Sequence, residues 1–173
     1  SLTFKNGTSG SSLTDGTTAL NIDANGIITM PKQPMFNVTT STTQDISTSS
    51  ITKTTLWDTE TTDLNADWAN DQFTAPITGR YLMTCFVTWE TIPEGAGNGI
   101  IWYKTPSGGS AALYKYAHNQ HTEDNITIGM GATTFMSLTA GDIIELYVFQ
   151  GSGATRTLQA NNSGSGTNYN SNY

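Results

Sequence analysis

The segment FTAPITGRYLMTCFVTWE, residues 73–90, constrains the fold more than any other part of the chain. Pro76 has no backbone N–H to donate to a sheet, so a strand that begins at Phe73 must end before it. Gly79 favours a turn, because glycine adopts positive φ angles without steric cost. From Tyr81 onward the chain reads YLMTCFVTWE, its longest apolar strand candidate. The segment therefore predicts a short strand, a tight corner and a long buried strand over residues 81–90.

The rest of the sequence also favours strands over helices. Only 12% of the residues are charged, about half of the roughly 25% that is usual in soluble domains, and Thr, Ser, Gly and Asn take their place. No segment has the 3.6-residue apolar period of an amphipathic helix. Predicted strands, separated by Gly, Asn and Ser turns, cover residues 35–40, 51–57, 73–75, 81–90, 100–104, 112–118, 126–138 and 143–150. This pattern predicts an all-β protein, an antiparallel sandwich or jelly roll.

The N-terminal segment, residues 1–34, is more polar than the rest and carries its own turn signals. Asn25-Gly26 lies between ALNID and IITM, and Asn-Gly between such segments is a strong hairpin signal. Pro31 and Pro34 then favour an extended linker. We therefore place a boundary near residue 34. It divides an N-terminal arm and hairpin, which serves attachment to neighbouring proteins, from a head over residues 35–173.

Composition excludes two classes of partner. The net charge is −7, from 14 acidic and 7 basic residues, and no basic patch is present, so nucleic acid is not an expected partner. No apolar run reaches the roughly 18 residues that span a bilayer, so we expect no membrane insertion. Cys85 is the only cysteine, and its place in an apolar strand predicts a buried structural thiol without a disulfide partner in the chain.

Three segments carry aromatic residues and glycines at spacings found in a known family. Phe73 is followed by Gly79 and then Tyr81, LTAGDIIELYV (138–148) has a turn into a strand, and LWDTETTD (56–63) occupies a comparable loop. In these features residues 35–150 resemble C1q-like domains of the C1q/tumour necrosis factor (TNF) jelly-roll superfamily. The resemblance implies a ten-strand jelly roll that assembles as a homotrimer. The segment NIDANGIITMPKQPMF is similar to the lead-in of bacteriophage fibre and other virion proteins.

Two predicted strands are apolar on both faces, which indicates that a second surface covers them. Strand alternation puts Leu82 and Phe86 on one face of YLMTCFVTW, and Tyr147 and Phe149 on one face of IIELYVFQ. The opposite faces fill the sandwich core, and a subunit interface is the natural cover for these. With Phe135 they form the expected interface at a threefold axis. The alternative is that loops of the same subunit cover them.

Aromatic and histidine side chains near loops are candidates for contact with a ligand. Trp68, Trp102, Tyr114 and Tyr116 can stack on sugar rings, and His118 and His121 border a polar loop. The alternative is that these aromatic residues are ordinary core or interface residues. The two histidines, with the acidic residues 123 and 124, also offer ligands for a transition metal, although their spacing matches no strict signature. The alternative is a polar loop without a metal.

Acidic residues crowd the predicted loop that precedes Phe73. They are Asp58, Glu60, Asp63, Asp67 and Asp71. The D-x-N-x-D pattern over residues 63–67 begins like a calcium loop, but Trp68 stands where an EF-hand needs glycine and Thr74 where it needs a bidentate glutamate. An EF-hand is therefore excluded. A simpler calcium site with oxygen ligands and a solvated acidic loop both stay open, and no other cofactor is expected.

The sequence contains no recognisable catalytic arrangement. No Ser-His-Asp or Cys-His order stands out, and the paired carboxylates are those of any acidic chain. We expect a non-enzymatic structural protein of a virion: a trimeric fibre or spike head that binds a host receptor or surface glycan and attaches to other virion proteins through residues 1–34. One alternative is a capsid or tail decoration protein without a receptor role. Another is a carbohydrate-active jelly-roll enzyme.

Overall fold

The computed structural model describes residues 2–6, 17–120, 122 and 126–160, and all of its regular structure is β. The strands before the long central one are β1 (Leu2–Asn6), β2 (Thr17–Ile22), β3 (Ile28–Thr29), β4 (Phe36–Thr39), β5 (Gln44–Ile46), β6 (Ile51–Lys53), β7 (Thr59–Asp63), β8 (Trp68–Ala69) and β9 (Gln72–Thr74). The others are β10 (Gly79–Ile92), β11 (Gly97–Thr105), β12 (Ala112–Gln120), β13 (Ile126–Leu138), β14 (Ile143–Gln150) and β15 (Arg156–Leu158). The described ranges contain no helix with the length and hydropathy of a membrane span.

Two antiparallel sheets form the sandwich of the head. The four-stranded sheet has the order β13-β10-β15-β5, and the six-stranded sheet has the order β12-β11-β14-β9-β8 with β6 also beside β14. Most neighbours are distant in sequence, as when β10 pairs with β13 and β11 with β14, which is the connectivity of a jelly roll. A separate pair consists of β4 and β7. The predicted all-β, antiparallel jelly-roll class is confirmed.

The hydrophobic core lies between the two sheets and takes alternate residues from each strand. Met83, Val87 and Trp89 of β10 point into it, as do Ile144 and Val148 of β14, and all five are almost completely buried. Each side chain of this kind stabilises the fold by about 1.5–3 kcal/mol when it leaves water. The inward faces predicted for these two strands are therefore correct.

The corner predicted at Pro76 and Gly79 joins β9 to β10. β9 ends before the proline, and β10 begins at the glycine. The phenol of Tyr81 donates a hydrogen bond of 2.7 Å to the carbonyl oxygen of Ile77, which closes the corner. The ring of Tyr81 also contacts Phe73, with centroids 5.4 Å apart. The aromatic residues on either side of the corner thus hold it against the core.

Asp142, in the turn before β14, binds groups of its own turn, of β11 and of the loop after β11. Its carboxylate accepts hydrogen bonds from the backbone N–H of Thr139 (2.8 Å) and of Ser107 (3.0 Å). It also pairs with the ammonium group of Lys104 at 2.6 Å. The hydrogen bond from Lys104, followed by those from the backbone, lowers the pKa of Asp142 from its usual 3.8 to about 2. The carboxylate is therefore ionised at any pH near neutrality.

The strand predicted over residues 51–57 is shorter than expected. β6 ends at Lys53, because Thr54 turns its hydroxyl inward and donates a hydrogen bond of 2.9 Å to the carbonyl oxygen of Leu146. The same hydroxyl accepts a hydrogen bond of 2.7 Å from the indole N–H of Trp57. A buried threonine hydroxyl therefore holds the chain after β6 against Leu146, which the weak alternation of this segment does not reveal.

The acidic segment predicted as a loop contains two short strands, β7 and β8. The carboxylate of Asp63 accepts hydrogen bonds from the backbone N–H of Asp67 (3.0 Å) and of Trp68 (3.1 Å). This tight loop returns the chain so that Trp68 pairs with Phe73. Aspartate and asparagine dominate the segment because they hold its turns, and their abundance hides the strands between them.

A small N-terminal sheet has the order β1-β2-β3, and in the described ranges its strands pair only with one another. β2 and β3 form the hairpin predicted from Asn25-Gly26, with Gly26 at φ +79°. The carboxylate of Asp23 accepts hydrogen bonds from the backbone N–H of Asn25 (2.8 Å) and of Ile27 (2.9 Å). The hairpin is confirmed, whereas the domain boundary near residue 34 stays a prediction.

Candidate functional site

The outward face of the four-stranded sheet exposes apolar side chains to water. We call it the four-strand face; it consists of Leu82, Thr84, Phe86, Thr133 and Phe135. Leu82 is 59% exposed and Phe135 is 72% exposed, and the two lie directly opposite each other on β10 and β13. Cross-strand neighbours on one face touch, so they form a continuous apolar surface. Exposed apolar patches often mark protein interaction sites, so this face is a candidate for one.

Phe86 occupies the other end of the four-strand face and lies across the glycines of β13. An ideal Cβ at Gly129 would stand 2.5 Å from Cζ of Phe86, and one at Gly131 would stand 3.4 Å from its Cδ2. The ring therefore covers backbone that the two glycines leave bare, which protects the sheet hydrogen bonds beneath it. This cover explains why Phe86 is less exposed than Leu82 or Phe135.

The outward face of the six-stranded sheet carries a group of rings. We call it the six-strand face, and its rings are Tyr103, Tyr116, His118, Tyr147 and Phe149. The rings of Tyr103 and Tyr147 have centroids 4.4 Å apart, and those of Tyr116 and His118 are 5.7 Å apart. In the sheet register Ile101 lies between Tyr116 and Tyr147, and it is only 1% exposed although it belongs to the outward side of β11. The tyrosines therefore shield it.

The phenols of Tyr116 and Tyr147 on the six-strand face are uncharged near neutral pH. Burial raises the pKa of Tyr116. Burial also raises the pKa of Tyr147, and the nearby carboxylate of Glu145 adds to this. Glu145 itself pairs with Lys53, whose ammonium nitrogen lies 2.6 Å from its carboxylate oxygen. The face thus combines ring surfaces with hydroxyl groups and one internally neutralised ion pair.

The five residues expected at one threefold axis lie on two different sheets. Leu82, Phe86 and Phe135 share the four-strand face, whereas Tyr147 and Phe149 belong to β14 on the six-strand face. The outward faces of the two sheets of a sandwich point in opposite directions. The five side chains therefore cannot meet at one axis. Alternation identified both faces of β10 and β14 correctly, but it says nothing of which sheet a strand joins.

The residues proposed for ligand contact are dispersed. Trp68 and Trp102 are buried in β8 and β11, so the expectation that they contact a ligand from exposed loops is wrong, and the core alternative applies to both. Trp68 lies in a segment dense in Asp and Asn that has the composition of a loop, and Trp102 lies in the predicted strand over residues 100–104, close to a Gly-rich loop. His118 is exposed on β12. His121 and the acidic residues 123 and 124 lie outside the described residues.

The acidic side chains before Phe73 do not form one common site. Asp58 accepts hydrogen bonds of 2.7 Å from both the hydroxyl and the backbone N–H of Ser41, and these lower its pKa. Asp71 accepts one of 3.1 Å from the backbone N–H of Trp57. Burial, followed by the charge of Asp63, raises the pKa of Asp67. Within the part of the chain that the structure describes, no three His, Cys, Asp or Glu side chains converge on a point that suits a metal.

Cys85 lies on the inward side of β10 and packs, half-buried, against the edge of the core. Burial raises the pKa of its thiol, so the reactive thiolate is scarce at neutral pH. The sequence predicts a buried structural thiol on this face of the strand; the face is correct, and the residue is half-buried.

Two solved structures have a fold similar to that of this chain. One is the globular domain of a zebrafish complement 1qA protein, with a TM-score of 0.52 and 14% identity, over 73% of this chain and 93% of that chain. The other is Eiger TNF from S. frugiperda, with a TM-score of 0.51 and 10% identity, over 78% of this chain and 94% of that chain. The chain has the C1q/TNF jelly-roll fold. No protein-family model matches it, and no curated protein does.

Within the C1q/TNF jelly roll, the glycine pairs are the feature that sequence reasoning missed. Gly129 and Gly131 face Phe86, and Gly97 and Gly99 face Tyr116 and His118. Each pair has the spacing of two residues on one face of a strand. The glycines were visible as interruptions of otherwise apolar segments, but the aromatic residue opposite each pair is distant in sequence. Only the strand pairing shows that each pair makes room for a ring.

Proposed function

We propose that this chain is a non-enzymatic jelly-roll head that assembles as a homotrimer through the four-strand face. The observation that supports this is the exposure of Leu82 and Phe135 side by side on a regular sheet. In a single chain both side chains stand in water, although a sheet needs cover on an apolar face. Three copies around a threefold axis supply this cover for one another, because each subunit presents the same surface.

The polar residues of the same face are compatible with such an interface. Thr84 and Thr133 lie between the apolar residues, and their hydroxyl groups form a hydrogen bond of 3.1 Å with each other. Each hydroxyl group therefore keeps one hydrogen-bond partner when it enters an interface. Arg80 follows at the end of the face, at a shallow depression lined also by Phe135 and Ser137. An apolar centre with a polar and charged rim is the usual anatomy of a protein interface.

We further propose that the trimer is the head of a virion fibre or spike that contacts the host surface. The resemblance of residues 21–36 to the lead-in of bacteriophage fibre proteins supports this, as does the surface that is poor in charge. The N-terminal sheet β1-β2-β3, whose described strands pair only with one another, suits attachment to other virion proteins. The same sheet also favours a second candidate, a capsid or tail decoration protein that attaches in this way and has no receptor role.

Glycoside hydrolysis is not supported by the acidic residues. Such an enzyme needs two carboxyl groups that flank a cleft. Asp58, Asp63 and Asp71 instead accept hydrogen bonds from the backbone N–H groups of Ser41, Asp67 and Trp57, respectively.

The molecular mass in solution tests the trimer. Light scattering or native mass spectrometry of the purified chain at micromolar concentration should give three times 18.5 kDa. A stable monomer under these conditions would refute the assembly through the four-strand face. Gold labelling of the subunit in intact particles, viewed by electron microscopy, then separates the two virion roles. A label at the tip of a tail or fibre supports host attachment, and a label on the capsid or tail lattice supports decoration.

A further inference from the structure

Two glycines of β11 set the shape of the six-strand face. An ideal Cβ at Gly99 would lie 2.3 Å from Cε2 of Tyr116, and one at Gly97 would lie 2.5 Å from Nε2 of His118. Both rings therefore lie directly on the backbone of β11, in space that any larger residue would fill. A ring that lies on the sheet turns its opposite side to solvent, and Tyr116 is 41% exposed.

The surface continues across the neighbouring strands. In the sheet register Gly99 lies between His118 on β12 and Phe149 on β14, and Ile51 of β6 lies beyond Phe149. Residues that are paired in this way stand on the same face of the sheet. The outcome is an apolar strip that runs from His118 across Gly99 and Phe149 to Ile51, bordered by the phenol group of Tyr116.

The charges around this surface favour a ligand without net charge. Lys53 and Glu145 flank the rings and neutralise each other at 2.6 Å, and Lys53 also donates a hydrogen bond of 3.4 Å to the carbonyl oxygen of Asn70. This lysine is therefore engaged and does not offer a free cation to an anionic ligand. The whole chain carries a net charge of −7, which repels anionic sugars and anionic lipid surfaces alike. A neutral ligand fits these charges best.

We propose that the six-strand face binds a neutral glycan, with a pyranose ring stacked on Tyr116. One side of a pyranose ring presents C–H groups that are apolar and slightly positive, and the face of an aromatic ring carries negative charge. Tyrosine adds a hydroxyl group at the ring edge, where the sugar hydroxyls lie. A flat surface suits the flat side of a sugar, whereas an amphipathic helix needs a groove and a peptide side chain needs a pocket.

This inference deepens the proposed host-attachment role and rests on it for its biological meaning, although the binding itself does not need the trimer. The six-strand face points away from the four-strand face, so the proposed assembly leaves it open. A monovalent sugar reports the affinity of one subunit. The test of glycan binding and the test of trimer formation can therefore give independent results.

The test is calorimetric titration of the full chain with maltohexaose, cellohexaose, mannohexaose and, as an anionic comparison, sialyllactose. At least one neutral sugar should bind at millimolar concentration or below, and sialyllactose should bind more weakly. Tyr116→Ala should weaken binding of that sugar ~tenfold or more, because it removes the stacking surface. Tyr116→Phe retains the ring and should stay within about threefold of wild type. Phe135→Ala, which removes an exposed ring from the opposite face, should leave the affinity of each subunit unchanged.

Three outcomes would overturn the inference. The first is a folded wild type that binds none of the neutral sugars at millimolar concentration. The second is binding that Tyr116→Ala leaves intact while circular dichroism shows the variant to be folded, because the sugar then binds elsewhere. The third is preferential binding of sialyllactose, or of a proline-rich peptide titrated under the same conditions, because the argument from charge and shape would then be wrong.

Discussion

Truncation of Phe135 to alanine is the most direct perturbation of the four-strand face. Full burial of a phenylalanine side chain is worth about 1.5–3 kcal/mol. Because Phe135 is 72% exposed in the single chain, an interface can gain about 1–2 kcal/mol from it in each subunit. Three subunits contribute equally in a symmetric trimer, so the loss amounts to about 3–6 kcal/mol for each trimer.

This loss converts into a measurable change of the monomer–trimer equilibrium. Every 1.4 kcal/mol is a factor of ten, so the dissociation constant should rise by about two to four orders of magnitude. The constant has units of concentration squared, and the midpoint concentration of dissociation therefore varies as its square root. We expect the midpoint of Phe135→Ala to rise about ten- to hundredfold over wild type. Analytical ultracentrifugation or mass photometry across a dilution series measures it.

Ile51→Ala is the matched control for this truncation. Ile51 is an exposed apolar residue too, but it lies on β6 and belongs to the six-strand face. Its truncation should leave the midpoint within about twofold of wild type, because the side chain is not buried by assembly. Equal shifts for the two variants, or no shift for Phe135→Ala, would refute the assignment of the interface to the four-stranded sheet.

Three further predictions concern stability and reactivity. Gly99→Ala places a Cβ 2.9 Å from the backbone carbonyl oxygen of Ala117, which cannot move freely, so calorimetry should show a loss of about 1–3 kcal/mol in unfolding free energy. Because the pKa of Asp142 is lowered in the folded protein, its ionised form stabilises the fold above pH 3.8, and this contribution is lost as the pH falls towards about 2. Asp142→Asn should therefore flatten the decline of the melting temperature over that range. An unchanged profile would contradict the ion pair with Lys104. The thiol of Cys85 should react with Ellman's reagent far faster in denaturant than in the native state, and equal rates would show that it is accessible.

Several elements of this fold could be predicted because their causes are local. β13 and β14 have the bounds expected from their apolar alternation, and the corner at Pro76 and Gly79 follows from the backbone chemistry of those two residues. The hairpin at Asn25-Gly26 has the same kind of origin. Each feature depends on neighbours within a few positions along the chain, which a sequence displays directly.

The candidate sites were predicted less well because their causes are not local. Trp102 is next to a Gly-rich turn and was expected near solvent, yet β11 lies in the middle of its sheet and buries it. Trp68 was assigned to a loop, because only the hydrogen bonds to the carboxylate of Asp63 bring it back to the sheet. In both cases a contact with a distant strand overrides the local composition.

The sequence by itself determined which side chains share a face of each strand. Alternation with a period of two put Leu82 on one face of β10 and Tyr147 on one face of β14, and the structure agrees. Only the tertiary structure decided that these faces lie on opposite sides of the sandwich, because β10 pairs with β13 and β14 pairs with β11. Strand order arises from pairing between segments that are far apart in sequence, and that pairing leaves no periodic trace within either strand. For this reason one expected interface became two separate surfaces, the four-strand face and the six-strand face.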